Sequence, residues 1–357
     1  MERLLTQLEE LLGRRNVYRG KDAEPYKWDA LGSGRGFPGF DSLTPQPLAA
    51  VRPAAKDEVS AVVRLAGEHR AAVVPFGGGS GLMGGAVPVR PSIVIDLARM
   101  DRVLSIDPDD MTVSVQAGAV LQVVEDELGK HGLLLGHDPW TVGVATVGGA
   151  ISTNSLGYRG TRYGSMGDHV MGLTAVLPDG RIIETGGVPK ASVGPDLAHL
   201  FIGGEGCFGI VTEATLRVFP LPEARSLRAF QFSSFEQGFR VVVQVQQRGL
   251  TPSLLDYGES YSDGRPEPCR LYLGFEGLRD EVAVHDRLAG EICASAGGRE
   301  LPSEEAQEFW EHRHDIGDRY AERRPPAPHG PRLSARASTS CTFRYRRRGC
   351  WPIARLA

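Results

Sequence analysis

No apolar run in this chain of 357 residues approaches the roughly 20 residues that a membrane-spanning helix needs. The opening segment MERLLTQLEELLGRR sets Leu4, Leu5, Leu8, Leu11 and Leu12 at helical spacing. Glu9 and Glu10 interrupt what a secretory leader would keep apolar, so the segment reads as an amphipathic surface helix. The five cysteines (Cys207, Cys269, Cys293, Cys341, Cys350) are odd in number and lack CxxC spacing. That argues against a zinc ribbon and a disulfide framework and points to a reducing, cytoplasmic setting. An excess of basic charge is also missing: the net charge is −4, so there is no electrostatic reason to expect nucleic acid or an anionic membrane as partner. Neither GxxxxGK[ST] nor GxSxG occurs, which removes the phosphate loop of nucleoside triphosphatases and the nucleophile elbow. His312 and His314, on an expected helix, are not four apart and have no third ligand nearby, so no metal site is expected.

What is present is a length that favours two cores and a hydrophobic fraction, 41%, suited to a globular chain with a small-molecule site. Four units follow: a helix and Gly/Pro-rich lead-in over 1–44, a first domain over 45–222, a partial second domain over 223–322, and a tail over 323–357. In the first domain, strands are expected at Ala49–Arg52, Ala72–Pro75 and Ser92–Leu97, with helices at Lys56–Gly67 and Val120–His131. Alternation around Asp107-Pro108-Asp109-Asp110 and Pro178-Asp179-Gly180 marks two hairpins, and a strand is expected over Ile210–Val218 before Pro220 and Pro222 close the unit. Residues 143–167 look too rich in glycine to be regular. The second domain reads as an antiparallel sheet (around 227, 254–257 and 270–275) covered on one side by helices 235–248 and 279–296.

Three loops carry the chemistry. The first, Pro75-Phe76-Gly77-Gly78-Gly79-Ser80-Gly81-Leu82, leaves a strand. A backbone without Cβ atoms can point several N–H groups at one anion, as a cradle for a pyrophosphate needs. Gly79 to Gly84 matches GxGxxG, but that fingerprint demands a helix immediately after it, which Pro88 and Pro91 forbid. The second runs from His137-Asp138-Pro139-Trp140-Thr141 into Thr146 to Asn154. The third is Gly203-Gly204-Glu205-Gly206, ahead of a strand. Together they suit a long nucleotide cofactor held along its length.

These segments, in this order and separation, resemble the PCMH-type FAD-binding domain of the vanillyl-alcohol oxidase and p-cresol methylhydroxylase superfamily. The likeness is to the branch with glycolate oxidase, D-lactate dehydrogenase and alkylglycerone-phosphate synthase, and covers roughly residues 45 to 275. It implies an α+β fold: an FAD-binding domain of two α/β subdomains, then an incomplete antiparallel-sheet substrate (cap) domain. It assigns Pro75, Gly77, Gly78, Gly79, Ser80, Gly81 and Leu82 to the pyrophosphate. Asp138, Pro139, Thr141, Thr146, Gly148, Gly149, Ser152 and Thr153 would lie along the ribityl chain and isoalloxazine, and Glu205, Gly206, Ile210 and Val211 along the adenosine half. Relatives with covalent flavin often carry histidine in the first loop where Ser80 stands, so FAD is expected to be non-covalent. Gly204 and Cys207 replace a more common Ser and Thr, and Cys207 reads as a small packed residue.

The family chemistry implied is oxidation of a D-2-hydroxy acid of the lactate or glycolate class by hydride transfer to flavin N5, with an electron acceptor that the sequence does not name and a homodimer as one open assembly. Arg162, in the group Tyr158, Arg159, Arg162, Tyr163 and His169, is a candidate for a substrate anion. After Glu322 there is no Asp, Glu or Lys in 35 residues, but nine arginines. This tail reads as a disordered basic extension or as the out-of-frame product of a GC-rich gene. The family's His-rich catalytic segment has no visible counterpart, so an FAD-binding fragment without turnover is a further expectation.

Overall fold

The computed structural model describes residues 1–30, 32, 45–187, 194–259, 261–262, 265–266, 268–315 and 317. The tail over 323–357 and residues 33–44 of the lead-in lie outside the described residues.

Helix α1 (Glu2–Leu12) buries Leu4, Leu5, Leu8 and Leu12 against α2 (Lys56–Glu68), which presents Val59, Val62, Val63 and Ala66. The leucine spacing builds this seam, and it joins α1 to the first core. The first sheet runs β1 (Val17–Tyr18), β2 (Ala49–Val51), β4 (Ser92–Asp96), β3 (Ala72–Phe76). Its β2, β4 and β3 are parallel, with α2 as the crossover between β2 and β3, and β1 is an antiparallel edge. β4 is buried throughout, as a parallel strand covered on both faces must be.

The second sheet is antiparallel in the order β5 (Val103–Asp107), β6 (Thr112–Gln116), β10 (Ile210–Arg217), β8 (Val170–Val176), β9 (Ile182–Glu184). Between β6 and β8 come α3 (Leu121–Gly129), β7 (Leu133–Leu134) and three short helices: α4 (Val147–Thr153), α5 (Gly160–Tyr163) and α6 (Met166–His169). The glycine-rich stretch 143–167 is therefore partly helical, contrary to expectation. Thr146 caps α4 by accepting from the Gly149 N–H, and Val147 and Ile151 anchor the helix in the core. Both sheets share that core, which gathers side chains from Leu4 to Val218. β11 (Phe219–Pro220) pairs with β7 and ends this unit.

The next sheet orders β13 (Leu254–Gly258), β16 (Cys269–Gly277), β12 (Ala224–Phe232) and β17 (Arg299–Glu300); β14 (Tyr261–Ser262) and β15 (Arg265–Pro266) form a separate hairpin. Phe230, Phe232, Leu271, Leu273 and Phe275 face α7 (Phe235–Gln247) and α8 (Arg279–Ser295) in a second core. The opposite face, with Arg225 paired across from Glu276 and Ala229 from Tyr272, carries a third helix, α9 (Ser303–His312), where Phe309 stacks on Tyr272. Helices thus cover both faces, which corrects the one-sided arrangement. Strand alternation sends Tyr272 and Glu276 away from the second core, and α9 packs on the face they form.

Candidate functional site: a cleft between three glycine loops

The first glycine loop leaves the end of β3, the second opens α4, and the third precedes β10; they meet around a cleft of about 380 Å³. Its lining includes Pro75, Gly77, Gly78, Gly79, Ser80, Gly81, Leu82, Pro139, Thr141, Thr146, Gly148, Gly149, Ser152, Thr153, Glu205, Gly206, Ile210 and Val211. Of the residues assigned to the cofactor from sequence, only Asp138 lies outside it. Trp140, within the expected run from Asp138 to Thr141, lines it too, whereas sequence reasoning missed Asp29, Met83, Ser155 and Leu156. Asp29 lies just beyond a 3₁₀ helix (Gly20–Lys27), and no motif marks it. Its carboxylate accepts from the Gly84 N–H at 3.0 Å, and the Ala30 N–H donates to the Gly81 carbonyl at 3.1 Å, so the N-terminal segment braces the first loop.

The glycines are required by contact between loops. A Cβ on Gly78 would enter the Val144 carbonyl group, and one on Gly77 would meet the Thr146 hydroxyl. A Cβ on Gly206 would strike the Pro75 ring. The third loop is pinned to α4 by Gly203 N–H to Ile151 carbonyl (3.0 Å) and Glu205 N–H to Ser152 carbonyl (2.9 Å). The chain approaches itself so closely that only hydrogen fits, and the backbone itself becomes the wall of the cleft.

Among the described residues, Asp29 and Glu205 are the only ionisable side chains in the lining, and no cation is there. The amides of Gly78 through Gly81 donate to nothing else in the described chain. Four consecutive N–H groups without partners suit an anion held without formal charge. This lining fits FAD: the free amides of the first loop suit its pyrophosphate, and Trp140, Ala145, Ile210 and Val211 offer apolar surface suited to its flat rings. Cys207 is exposed and lies outside the cleft lining, which corrects its reading as a packed residue. The turn around Gly206 carries it outward.

Asp138 is buried at the rim of the second loop and faces the second domain. Its Oδ2 accepts from Arg313 Nε at 2.9 Å and its Oδ1 from His314 Nε2 at 2.7 Å. Burial alone would raise this carboxyl; the His314 hydrogen bond and the charges of Arg313 and Arg159 outweigh it and hold the group well below the usual carboxylate range. Arg159 sits between three acids, with contacts of 3.4 Å to Glu125, 3.5 Å to the fully buried Glu276 and 3.9 Å to Asp138. Arg162 is also outside the cleft: its guanidinium pairs with Glu281 of α8 at 3.2 Å and covers the Tyr163 ring. The geometry gives it a place in the contact between domains. Sequence spacing does not show which acids fold against Arg159 and Arg162. His169 is buried and donates from Nδ1 to the Ser165 carbonyl at 2.7 Å.

Fold and site together define a flavin-nucleotide-binding protein. Residues 47–186 match the family model described as an FAD binding domain. The chain is 34% identical over 238 residues to the glycolate oxidase subunit GlcD of Bacillus subtilis (strain 168), covering 65% of this chain and 50% of the relative. It is 40% identical over 256 residues to a D-lactate dehydrogenase of Archaeoglobus fulgidus, covering 68% of this chain and 57% of that protein. A solved alkyldihydroxyacetonephosphate synthase superposes with a TM-score of 0.78 at 25% identity, over 89% of this chain and 63% of the other. Residues 47–186 thus carry an FAD binding domain, and the chain as a whole is similar to FAD-linked proteins of this kind. It spans about half the length of the curated relatives it matches.

Proposed function

We propose that the chain holds FAD non-covalently in the glycine-loop cleft and serves the oxidation of a D-2-hydroxy acid of the lactate or glycolate class. One observation supports this most directly: a cleft walled by backbone, with the four unpartnered amides of the first loop and no histidine, cysteine or tyrosine side chain in its described lining. Bound FAD supplies the hydride acceptor, flavin N5. The residues of the chain orient it. The first loop fixes the pyrophosphate, the third carries the Glu205 carboxylate toward the nucleoside end, and Trp140 and Thr141 border the other end. The domain order that goes with this reading is a cofactor domain over 45–222 and a partial cap over 223–322. Cytoplasmic location, a homodimeric state and an external electron acceptor belong to the same reading.

A synthase-like use of the flavin is the second reading, favoured by the likeness to alkyldihydroxyacetonephosphate synthase. A third is cofactor binding without turnover, favoured by the absence of a base among the described lining residues beyond Asp29 and Glu205. Full-length protein reconstituted with FAD and mixed anaerobically with D-lactate or glycolate discriminates among these. Bleaching of the flavin absorbance is expected. A yellow protein that neither substrate reduces would overturn the hydroxy-acid reading, and flavin that stays in the pellet after acid precipitation would overturn non-covalent binding.

A further inference from the structure

We infer that Asp138 is a positioning residue: an ionic latch through which the end of α9, in the second domain, holds the second glycine loop at the cleft. The inference rests on reading the cleft as the FAD site. Its basis is the convergence of independent contacts on four residues. Pro139, Trp140 and Thr141 line the cleft, and Asp138, immediately before them, faces the other way. Arg313 and His314 each donate to a different oxygen of its carboxylate. Arg313 also lies over the Trp310 ring at 3.7 Å and donates to the Trp310 carbonyl, so the guanidinium is fixed by its own helix before it reaches Asp138.

The loop is held from its other side as well. The Tyr158 N–H donates to the Asp138 carbonyl at 2.9 Å, and the Tyr158 hydroxyl donates to the Arg313 carbonyl at 3.1 Å, which ties the same two segments through a second route. Gly157 lies against the Asp138 backbone with no room for a Cβ, and Gly317 lies in the same way against the Trp140 carbonyl and Thr141. The chain following α9 is therefore seated directly on residues that wall the cleft. The two hydrophobic cores are separate, one ending at Val218 and the other beginning at Phe230, so these polar contacts, with Arg159–Glu276 and Arg162–Glu281, carry much of the coupling between the domains. A buried carboxylate with two donors fixed by separate contacts has one low-energy arrangement, and its loss frees the loop while leaving each core intact.

The test uses the full chain and FAD itself. Asp138→Asn, His314→Gln and the double variant are compared with wild type for FAD dissociation constant, flavin fluorescence and the melting temperature of the FAD-free protein. Each single variant is expected to weaken FAD binding about tenfold with more exposed, brighter flavin, and the double variant to be no weaker than Asp138→Asn, because both remove one interaction. A purely structural role would lower the melting temperature in proportion and leave the fluorescence of bound flavin unchanged. Variants that bind FAD like wild type, or single effects that simply add, overturn the latch alone. Wild-type protein that binds no FAD overturns the cofactor reading and the latch with it. If Asp138→Asn does not fold, His314→Gln carries the test, since that side chain is 21% exposed and can be replaced without leaving a sealed void.

Discussion

Gly78→Ala separates two reasons for a glycine-rich loop, room for a ligand and room for the protein itself. In the structure the added Cβ would enter the Val144 carbonyl group, with its carbon at 2.9 Å and Ala145 Cα at 3.2 Å, where ordinary contact begins at 3.4 Å. Both obstacles are backbone, so no rotamer change relieves them, and the first and second loops must part. Overpacking of this kind costs about 1–3 kcal/mol. At roughly 2–4 °C per kcal/mol for a domain of this size, the FAD-free protein should melt several degrees lower. Whatever strain the loops relieve by separating should appear as weaker FAD binding, up to about 150-fold if the whole cost falls there. Gly81→Ala is the control: its Cβ meets nothing within 4 Å, and its φ is not in the left-handed region. It should leave the FAD-free melting temperature unchanged and affect FAD affinity alone, by entering the space the cofactor uses. Differential scanning calorimetry on FAD-free protein and fluorescence titration with FAD read the two effects. A Gly78→Ala protein as stable and as tightly binding as wild type would refute the argument. So would a Gly81→Ala protein that loses as much stability as Gly78→Ala.

Two further outcomes follow from buried charge. Arg52 and Asp96, 1% and 2% exposed, pair at 2.6 Å, and Tyr26 donates to the same Asp96 oxygen at 2.8 Å. Asp96→Asn removes the carboxylate charge that neutralises the buried guanidinium and should lower stability by about 3–5 kcal/mol in a urea titration, so an unchanged midpoint would show the pair to be dispensable. His137 is buried beside His169, and burial, followed by the charge of His169, brings its pKa from 6.5 down to about 4. The folded state then binds fewer protons than the unfolded state between those values, so stability should fall as pH drops from 6.5 toward 4, by on the order of 3 kcal/mol. His137→Gln should flatten that slope in chemical denaturation at several pH values; an equally steep slope in the variant would assign it to other groups.

Much of the cofactor domain was legible in the sequence because its signals are local. Alternation around Asp107–Asp110 and Pro178–Gly180 yields β5, β6, β8 and β9, and Leu4, Leu5, Leu8 and Leu12 of α1 fall on the buried face, with Leu11 exposed. The three glycine loops converge as expected, since each sits at the end of a recognisable element. Less legible was the segment 143–167, where low helix propensity is overruled by the burial of Val147 and Ile151 and by the Thr146 cap. Cys207 was misplaced for a related reason: a small apolar residue beside a strand looks like core until the turn at Gly206 carries it outward.

By itself the sequence pointed to the three loops that gather at the cleft. Composition and spacing carry that much, because a glycine run after a strand is readable wherever it occurs. Only the tertiary structure decided what the glycines make room for and where Asp138 points. Gly78 answers to Val144, 66 positions away, and Asp138 to Arg313, 175 away. A contact between residues so far apart leaves no periodic trace along the chain. It is fixed by the packing of two cores, which brings α9 across to the rim of the cleft.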